Sequence, residues 1–285
     1  MKHRIERIAV AGAGTMGLGI AHVSALAGYT TTLFDVEEAQ LIRSLSTITQ
    51  NLEKGVARGK VAPADRDAAL ARLRTSTDLT AACTDADMLI EAIPEQVQLK
   101  LDFFGRAEAD LPDQAIIASN TSALSITELA AGVADPGRVV GMHFFNPVHL
   151  MKLVEIVRGL QTHDAVVEAA VAVAEAMGKT AVEVNEAPGF VTTRINALIG
   201  NEAFTMLQEG VADARGIDTA LKLGLNHPMG PFELVDLVGL DTRLSILQFL
   251  HRTLGEKYRP CPLLEKYVKA GRLGRKVGRG VYDYE

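Results

Sequence analysis

Short apolar and β-branched runs alternate with longer stretches of helical spacing through the first two-thirds of the chain. Ile8-Ala9-Val10-Ala11 precedes a helical stretch from Met16 to Ala27, and Thr31-Thr32-Leu33-Phe34 is the next strand. Further runs are Met88-Leu89-Ile90, Ala115-Ile116-Ile117-Ala118, Val139-Val140-Gly141-Met142, Leu153-Val154-Glu155-Ile156-Val157 and Ala181-Val182-Glu183-Val184. Strands alternating with helices predict βαβ units and a mostly parallel sheet covered on both faces. After Val184 the character changes. Pro188-Gly189 punctuates the chain, and Ile195, Leu198, Ile199, Phe204, Met206 and Leu207 then recur at helical spacing. Asn226-His227-Pro228-Met229-Gly230-Pro231 splits the region, helical to about Gly255, into two blocks. The pattern predicts an α/β domain over residues 1–185 and an all-α C-terminal domain over 186–285. So many apolar helix faces in a small domain predict a homodimer that buries one of them.

Composition narrows the class. Hydrophobic residues make up 48% and charged residues 22%, the balance of a folded chain. A net charge of -6 argues against a nucleic-acid partner. Cys83 and Cys261 lie far apart, in no metal-ligand spacing, and read as reduced, packed thiols with no metal. Met1-Lys2-His3-Arg4 leads straight into the first strand without an apolar signal region, and no run reaches the ~18 apolar residues of a membrane span. These features predict a cytoplasmic protein with no membrane partner.

The first turn carries the first chemistry. Gly12-Ala13-Gly14-Thr15-Met16-Gly17 follows an apolar strand and opens a helix containing Ile20, Val23 and Leu26. That context makes the glycines a Rossmann-type dinucleotide turn: Gly12 for the tight bend, Gly14 for approach of a pyrophosphate, Gly17 for helix–strand packing. The helix N-terminus then meets the phosphate charge. Asp35 ends the second strand, 18 residues after Gly17. A carboxylate there accepts ribose hydroxyls and repels a 2′-phosphate, so NAD is favoured over NADP. The alternative is an ordinary βα turn with an exposed aspartate.

Seven histidines are present, and His143 differs by position, at the end of the Val139–Met142 run. Ligands of open α/β sheets sit at strand carboxyl ends, and a histidine there can exchange the proton that a dehydrogenase must move. Twelve residues on, Glu155 interrupts an apolar run, where a carboxylate is costly without a partner such as an imidazole N–H. A solvent-facing edge glutamate beside a core histidine fits the pattern equally. Ser119-Asn120-Thr121-Ser122 follows another strand; it either hydrogen-bonds a reacting oxygen or caps the helix that begins near Ile126.

Together with Gly141-Met142-His143-Phe144-Phe145-Asn146-Pro147, Pro188-Gly189-Phe190 and Lys222-Leu223-Gly224…Pro228-Met229-Gly230-Pro231, these motifs closely resemble the L-3-hydroxyacyl-CoA dehydrogenases, most of all the short bacterial 3-hydroxybutyryl-CoA members. The resemblance covers residues 5 to 284. It implies that His143 removes the 3-hydroxyl proton, that Glu155 orients it, and that Ser122 contacts both substrate oxygen and cofactor. It also implies cofactor contacts from Glu95, Lys100 and Asn146, and from Lys276, which by charge alone reads as part of a solvated basic tail. The substrate is then an acyl-CoA thioester. Lys54 and Arg58, at i and i+4, share a helical face; the resemblance aligns Asn51 and Arg58 with contacts to CoA, and a solvated face is the alternative.

One departure from the family pattern matters. An asparagine usually precedes the arginine after Pro-Gly-Phe; here Thr193 precedes Arg194. A threonine hydroxyl still donates one hydrogen bond but is shorter and lacks the amide's second donor. Two other functions share the fold. A sugar-acid dehydrogenase would not need the Lys54/Arg58 patch, and a catalytically silent dinucleotide-binding protein would not need His143, Glu155 and Ser122.

Overall fold

The computed structural model describes residues 4–284. Met1, Lys2 and His3, read above as leading into the first strand, lie outside the described residues, as does Glu285. The chain divides between Ala187 and Pro188 into two compact units.

In the first unit, eight strands among the described residues form one sheet in the order β3-β2-β1-β4-β5-β6-β7-β8. They are β1 (Arg7–Ala11), β2 (Thr30–Phe34), β3 (Leu73–Ser76), β4 (Met88–Glu91), β5 (Ile116–Ser119), β6 (Val139–Phe144), β7 (Leu153–Arg158) and β8 (Thr180–Asn185). Neighbours run parallel except β6 and β7, which are antiparallel. The mostly parallel sheet expected from the apolar runs is therefore present. The register lines up Ala11, Glu91, Ser119 and Gly141 across one edge. That edge collects the carboxyl ends of β1, β4, β5 and β6.

The helices of this unit are α1 (Thr15–Leu26), α2 (Glu38–Ala57), α3 (Pro63–Arg72), α4 (Leu79–Cys83), α5 (Val97–Glu108), α6 (Ile126–Ala130) and α7 (Asp164–Ala176). Local chemistry explains their starts. Pro63 occupies the first turn of α3, where no amide bond is lost, and Asp78 and Ser125 cap α4 and α6 through Thr80 N and Glu128 N. The core joins Ile8, Val10 and Ile90 from strands to Ile20, Leu41, Ile48 and Val173 from helices.

Two features differ from the sequence reading. β3 has no counterpart in it, because Leu73-Arg74-Thr75-Ser76 is a half-exposed edge strand with a single apolar residue. β6 runs through His143 and Phe144 instead of stopping at Met142, since the antiparallel pairing with β7 carries it two residues further.

The second unit is helical: α8 (Thr192–Glu209), α9 (Ala214–Gly224), α10 (Pro231–Val238), α11 (Leu240–Leu254) and α12 (Pro262–Lys269). Gly210, in the left-handed region, ends α8, and Asp213 caps α9 through Gly216 N. Its core packs Phe204, Phe232, Leu247, Leu250, Tyr258 and Leu264. The break at residues 226–231 falls between α9 and α10 as expected, with further breaks after Glu209 and Val238. Cys83 and Cys261 are buried and unpaired, and burial pushes the Cys83 thiol up to about 12. No helix among the described residues is long and apolar enough to cross a membrane.

Candidate active site

The turn after β1 has the shape a pyrophosphate requires. Gly12 adopts φ +94°, and a Cβ there would lie 2.6 Å from Ala92 O. A Cβ on Gly17 would come within 1.6 Å of Gly12 O, so the helix seats against the turn only with glycine at that position. Gly14 has nothing within 4 Å of where its Cβ would be, so this side of the cradle is open. No side chain caps α1 and no acidic residue sits in its first turn, which suits the helix terminus to an anion. These residues fit a dinucleotide. The turn is braced from behind by α2, where Gln40 Nε2 and Ser44 Oγ donate to Ala13 O.

Asp35 follows β2 directly and is half-buried. Its Oδ2 accepts Ala13 N at 2.7 Å and its Oδ1 accepts Glu37 N at 3.0 Å. It is thus tied to the glycine turn, and each carboxylate oxygen retains a lone pair for a ribose hydroxyl.

His143 and Glu155 are cross-strand partners in the β6–β7 ladder. His143 Nδ1 lies 2.7 Å from Glu155 Oε2, with the residues 5% and 1% exposed. The alternative of a solvent-facing edge glutamate is excluded by that burial. An ionised carboxylate only accepts, so in this contact Nδ1–H is the donor and Glu155 Oε2 the acceptor. Phe145 packs on the imidazole, ring centroids 4.5 Å apart.

The next loop inward joins this pair to the centre of the edge. Asn120 Oδ1 accepts Phe144 N at 2.9 Å, which fixes the chain beside His143. Ser125, not Ser122, caps α6, so the choice left open between capping and a site role is settled against capping for Ser122. The half-buried Ser122 donates its amide to Glu95 Oε1 at 3.0 Å, and Thr121 Oγ1 donates to the same oxygen. Glu95 Oε2 lies 3.1 Å from Lys100 Nζ. Lys100 is buried, and its ammonium also meets Glu91 Oε1 at 2.6 Å. Glu91 accepts Ile93 N and Ser119 Oγ as well. Burial pushes the Glu91 carboxyl up, opposed by Lys100, Ser119 and Ile93. The family resemblance points to Glu95 and Lys100 and gives Glu91 no role; the signal for Glu91 is a carboxylate closing the otherwise apolar run Met88-Leu89-Ile90. Asn146 is exposed in the loop after β6.

Asn51, Lys54 and Arg58 line one cavity of about 470 Å³, together with Lys152 and Lys179. Lys54 lies in the last turn of α2 and Arg58 is its C-cap. Among the described residues, no aspartate or glutamate lines this cavity. His22 and His149 stack across its wall, centroids 5.4 Å apart.

Thr193 and Lys276 belong to the second unit. Thr193 is half-buried in the first turn of α8. Lys276 is not a loose basic tail: its ammonium pairs with both Asp241 oxygens at 2.6 Å, and the adjoining segment is closed by a Gly274–Arg279 bridge.

Family models match both units. One, described as 3-hydroxyacyl-CoA dehydrogenase, NAD binding domain, spans residues 7–187, and one described as the C-terminal domain of the same enzyme spans 189–284. The chain belongs to the 3-hydroxyacyl-CoA dehydrogenase family. Its first unit is the family's NAD-binding domain. A probable 3-hydroxybutyryl-CoA dehydrogenase of Bacillus subtilis is 49% identical over 99% of this chain and 98% of its own length. A 3-hydroxybutyryl-CoA dehydrogenase of Bradyrhizobium diazoefficiens is 47% identical over 98% and 96%. The crystal structure of the (S)-3-hydroxybutyryl-CoA dehydrogenase of Ralstonia eutropha matches with a TM-score of 0.95 at 42% identity, covering 99% of this chain and all of that one.

Proposed function

We propose that this dehydrogenase catalyses the reversible, NAD-dependent oxidation of a short-chain L-3-hydroxyacyl-CoA, such as 3-hydroxybutyryl-CoA, to the 3-oxoacyl-CoA. The buried His143–Glu155 pair at the carboxyl edge of the sheet carries the reading. His143 Nε2 takes the 3-hydroxyl proton as the carbonyl forms, and Glu155 stabilises the resulting imidazolium through Nδ1–H. NAD, when bound, supplies the acceptor for the C3 hydride. Ser122 offers its hydroxyl to the substrate oxygen, with its own amide held by Glu95. The glycine turn and Asp35 bind the adenosine diphosphate half of the cofactor, and Glu95, Lys100, Asn146 and Lys276 serve the nicotinamide half. Thr193 stands where the family carries an asparagine and donates a single hydrogen bond.

The cationic cavity at Asn51, Lys54 and Arg58 supports CoA thioesters over free sugar acids, since CoA carries phosphates. Following NADH absorbance with acetoacetyl-CoA, longer 3-oxoacyl-CoA esters and free 3-oxo acids tests the proposal. Turnover of free acids at the rate of thioesters would refute it. The helical unit, which begins at Pro188 and not at 186 as the sequence pattern predicts, serves substrate binding and homodimer formation; exposed Ile195, Leu223, Leu225 and Leu237 support this. A monomeric mass by light scattering at micromolar concentration would overturn that part. The same reading sets the enzyme in the cytoplasm, consistent with two reduced, buried thiols.

A further inference from the structure

The sheet edge holds a second buried carboxylate, one that proton transfer does not use. Glu91 is fully buried at the end of β4, yet it accepts from three elements: Ile93 N at 2.7 Å on the following loop, Lys100 Nζ at 2.6 Å from α5, and Ser119 Oγ at 2.6 Å at the end of β5. Two chains of contacts leave this hub. One runs through Lys100 to Glu95 Oε2 and from Glu95 Oε1 to the Ser122 amide. The other runs through Ser119 to its neighbour Asn120, whose Oδ1 holds Phe144 N beside His143.

We propose that Glu91 is a positioning residue that sets Ser122 in register with His143, acting through Lys100 and Glu95.

The need follows from exposure. The Glu95 side chain is 43% exposed on a loop, where a glutamate ordinarily samples several rotamers. What fixes it is a lysine on one oxygen and the 121–122 backbone and hydroxyl on the other. The Lys100 side chain is 1% exposed and its ammonium is neutralised there; an unpaired ammonium at that depth is strongly disfavoured. Glu91 supplies that neutralisation at the shorter of the two contacts. A buried ion pair is weak evidence for stability, since apolar replacements are often neutral or better. Its geometry is the more distinctive property, because it makes one carboxylate the common anchor of both loops.

The catalytic consequence rests on the role given to Ser122 above; the geometric consequence does not. The test compares Glu91→Gln, Glu95→Gln and the double variant. Amide exchange over residues 119–125 is read by mass spectrometry, and turnover with acetoacetyl-CoA and NADH by absorbance. Glu91→Gln should speed exchange of this segment and lower kcat by about tenfold each, the scale of losing a supporting contact. Added to Glu95→Gln, it should change either quantity by no more than about twofold, because coupled residues do not add. Unchanged exchange in Glu91→Gln, or effects that multiply in the double variant, would overturn the proposal. Should Glu91→Gln fail to fold, Glu91→Met with Lys100→Met replaces the pair by apolar groups. Wild-type exchange at 119–125 in that variant refutes positioning, and accelerated exchange with a native melting temperature supports it. A wild-type enzyme inactive on acetoacetyl-CoA would remove the proposed function while leaving the exchange result to decide the role of Glu91.

Discussion

His143 and His22 are histidines of the same unit, 5% and 4% exposed, and their surroundings are opposite. His143 sits on β6 against the Glu155 carboxylate. His22 sits on α1, stacked on His149, with no hydrogen-bond partner for Nδ1 among the described residues. Burial, then the neighbouring His149 and Lys179, holds the His22 pKa down to about 4. Burial by itself disfavours an imidazolium; a carboxylate within hydrogen-bond reach favours it, and cations do the reverse. The two residues show that burial at equal depth leaves a histidine with opposite electrostatic surroundings, one facing a carboxylate and the other a second imidazole.

The sharpest way to break this contrast is to remove one member. His143→Ala should lower kcat by about three orders of magnitude, the range of a lost general base, while the NADH dissociation constant, read by fluorescence, stays near the wild-type value. Retention of most activity would end the assignment. Glu155→Leu is more instructive, because it takes the carboxylate away from His143 and makes its environment resemble that of His22. We expect kcat to fall by roughly two to three orders of magnitude, less than in His143→Ala, since the ring remains but loses its tautomer and orientation.

The converse change concerns stability. His22 is neutral in the folded protein down to about pH 4, whereas an unfolded histidine binds its proton near pH 6.5. As pH falls from 6.5 to 4, the unfolded state takes up the proton first, so stability declines through this window and levels off below it. The span corresponds to about 3 kcal/mol at most. His22→Phe should remove that slope, seen by comparing urea midpoints of variant and wild type at pH 7 and pH 4.5. Parallel declines in the two proteins would show that His22 does not titrate as described.

Much of this was readable from residue order, for identifiable reasons. Glu155 stands out as a carboxylate inside an apolar strand run, where chemistry outweighs burial, and His143 by its place at the end of the Val139–Met142 run. The glycine turn is legible because only backbone sterics of a close helix–strand contact demand Gly12 and Gly17 there. The pairing itself depends on the antiparallel register of β6 and β7, which sequence spacing leaves open. Glu91 escaped notice because its partners come from α5 and β5, 9 and 28 residues away. β3 escaped because an edge strand has little to bury. The sequence pattern offers the cluster Ser119-Asn120-Thr121-Ser122 as the cap of α6, whereas Ser125, directly before Ile126, accepts Glu128 N.

The smallest effect belongs to the cavity on which His22 borders. Lys54 and Arg58 are exposed, and neither forms an ion pair among the described residues. With no carboxylate among the described residues of the lining, their field acts on whatever enters. Replacing either by Met should raise KM for acetoacetyl-CoA by about tenfold at low ionic strength, with kcat unchanged, because uniform binding is lost. The difference should shrink toward 1 M salt, where the screening length drops to about 3 Å. A truncated thioester lacking the nucleotide should show no change in KM, and a change would mean that the cations act on the acyl end. The same field sharpens the histidine contrast. Adenosine 3′,5′-bisphosphate placed in the cavity brings negative charge near His22 and should move its NMR titration midpoint upward from about 4. A midpoint that ignores the nucleotide would mean that the cavity cations and His22 do not share a ligand.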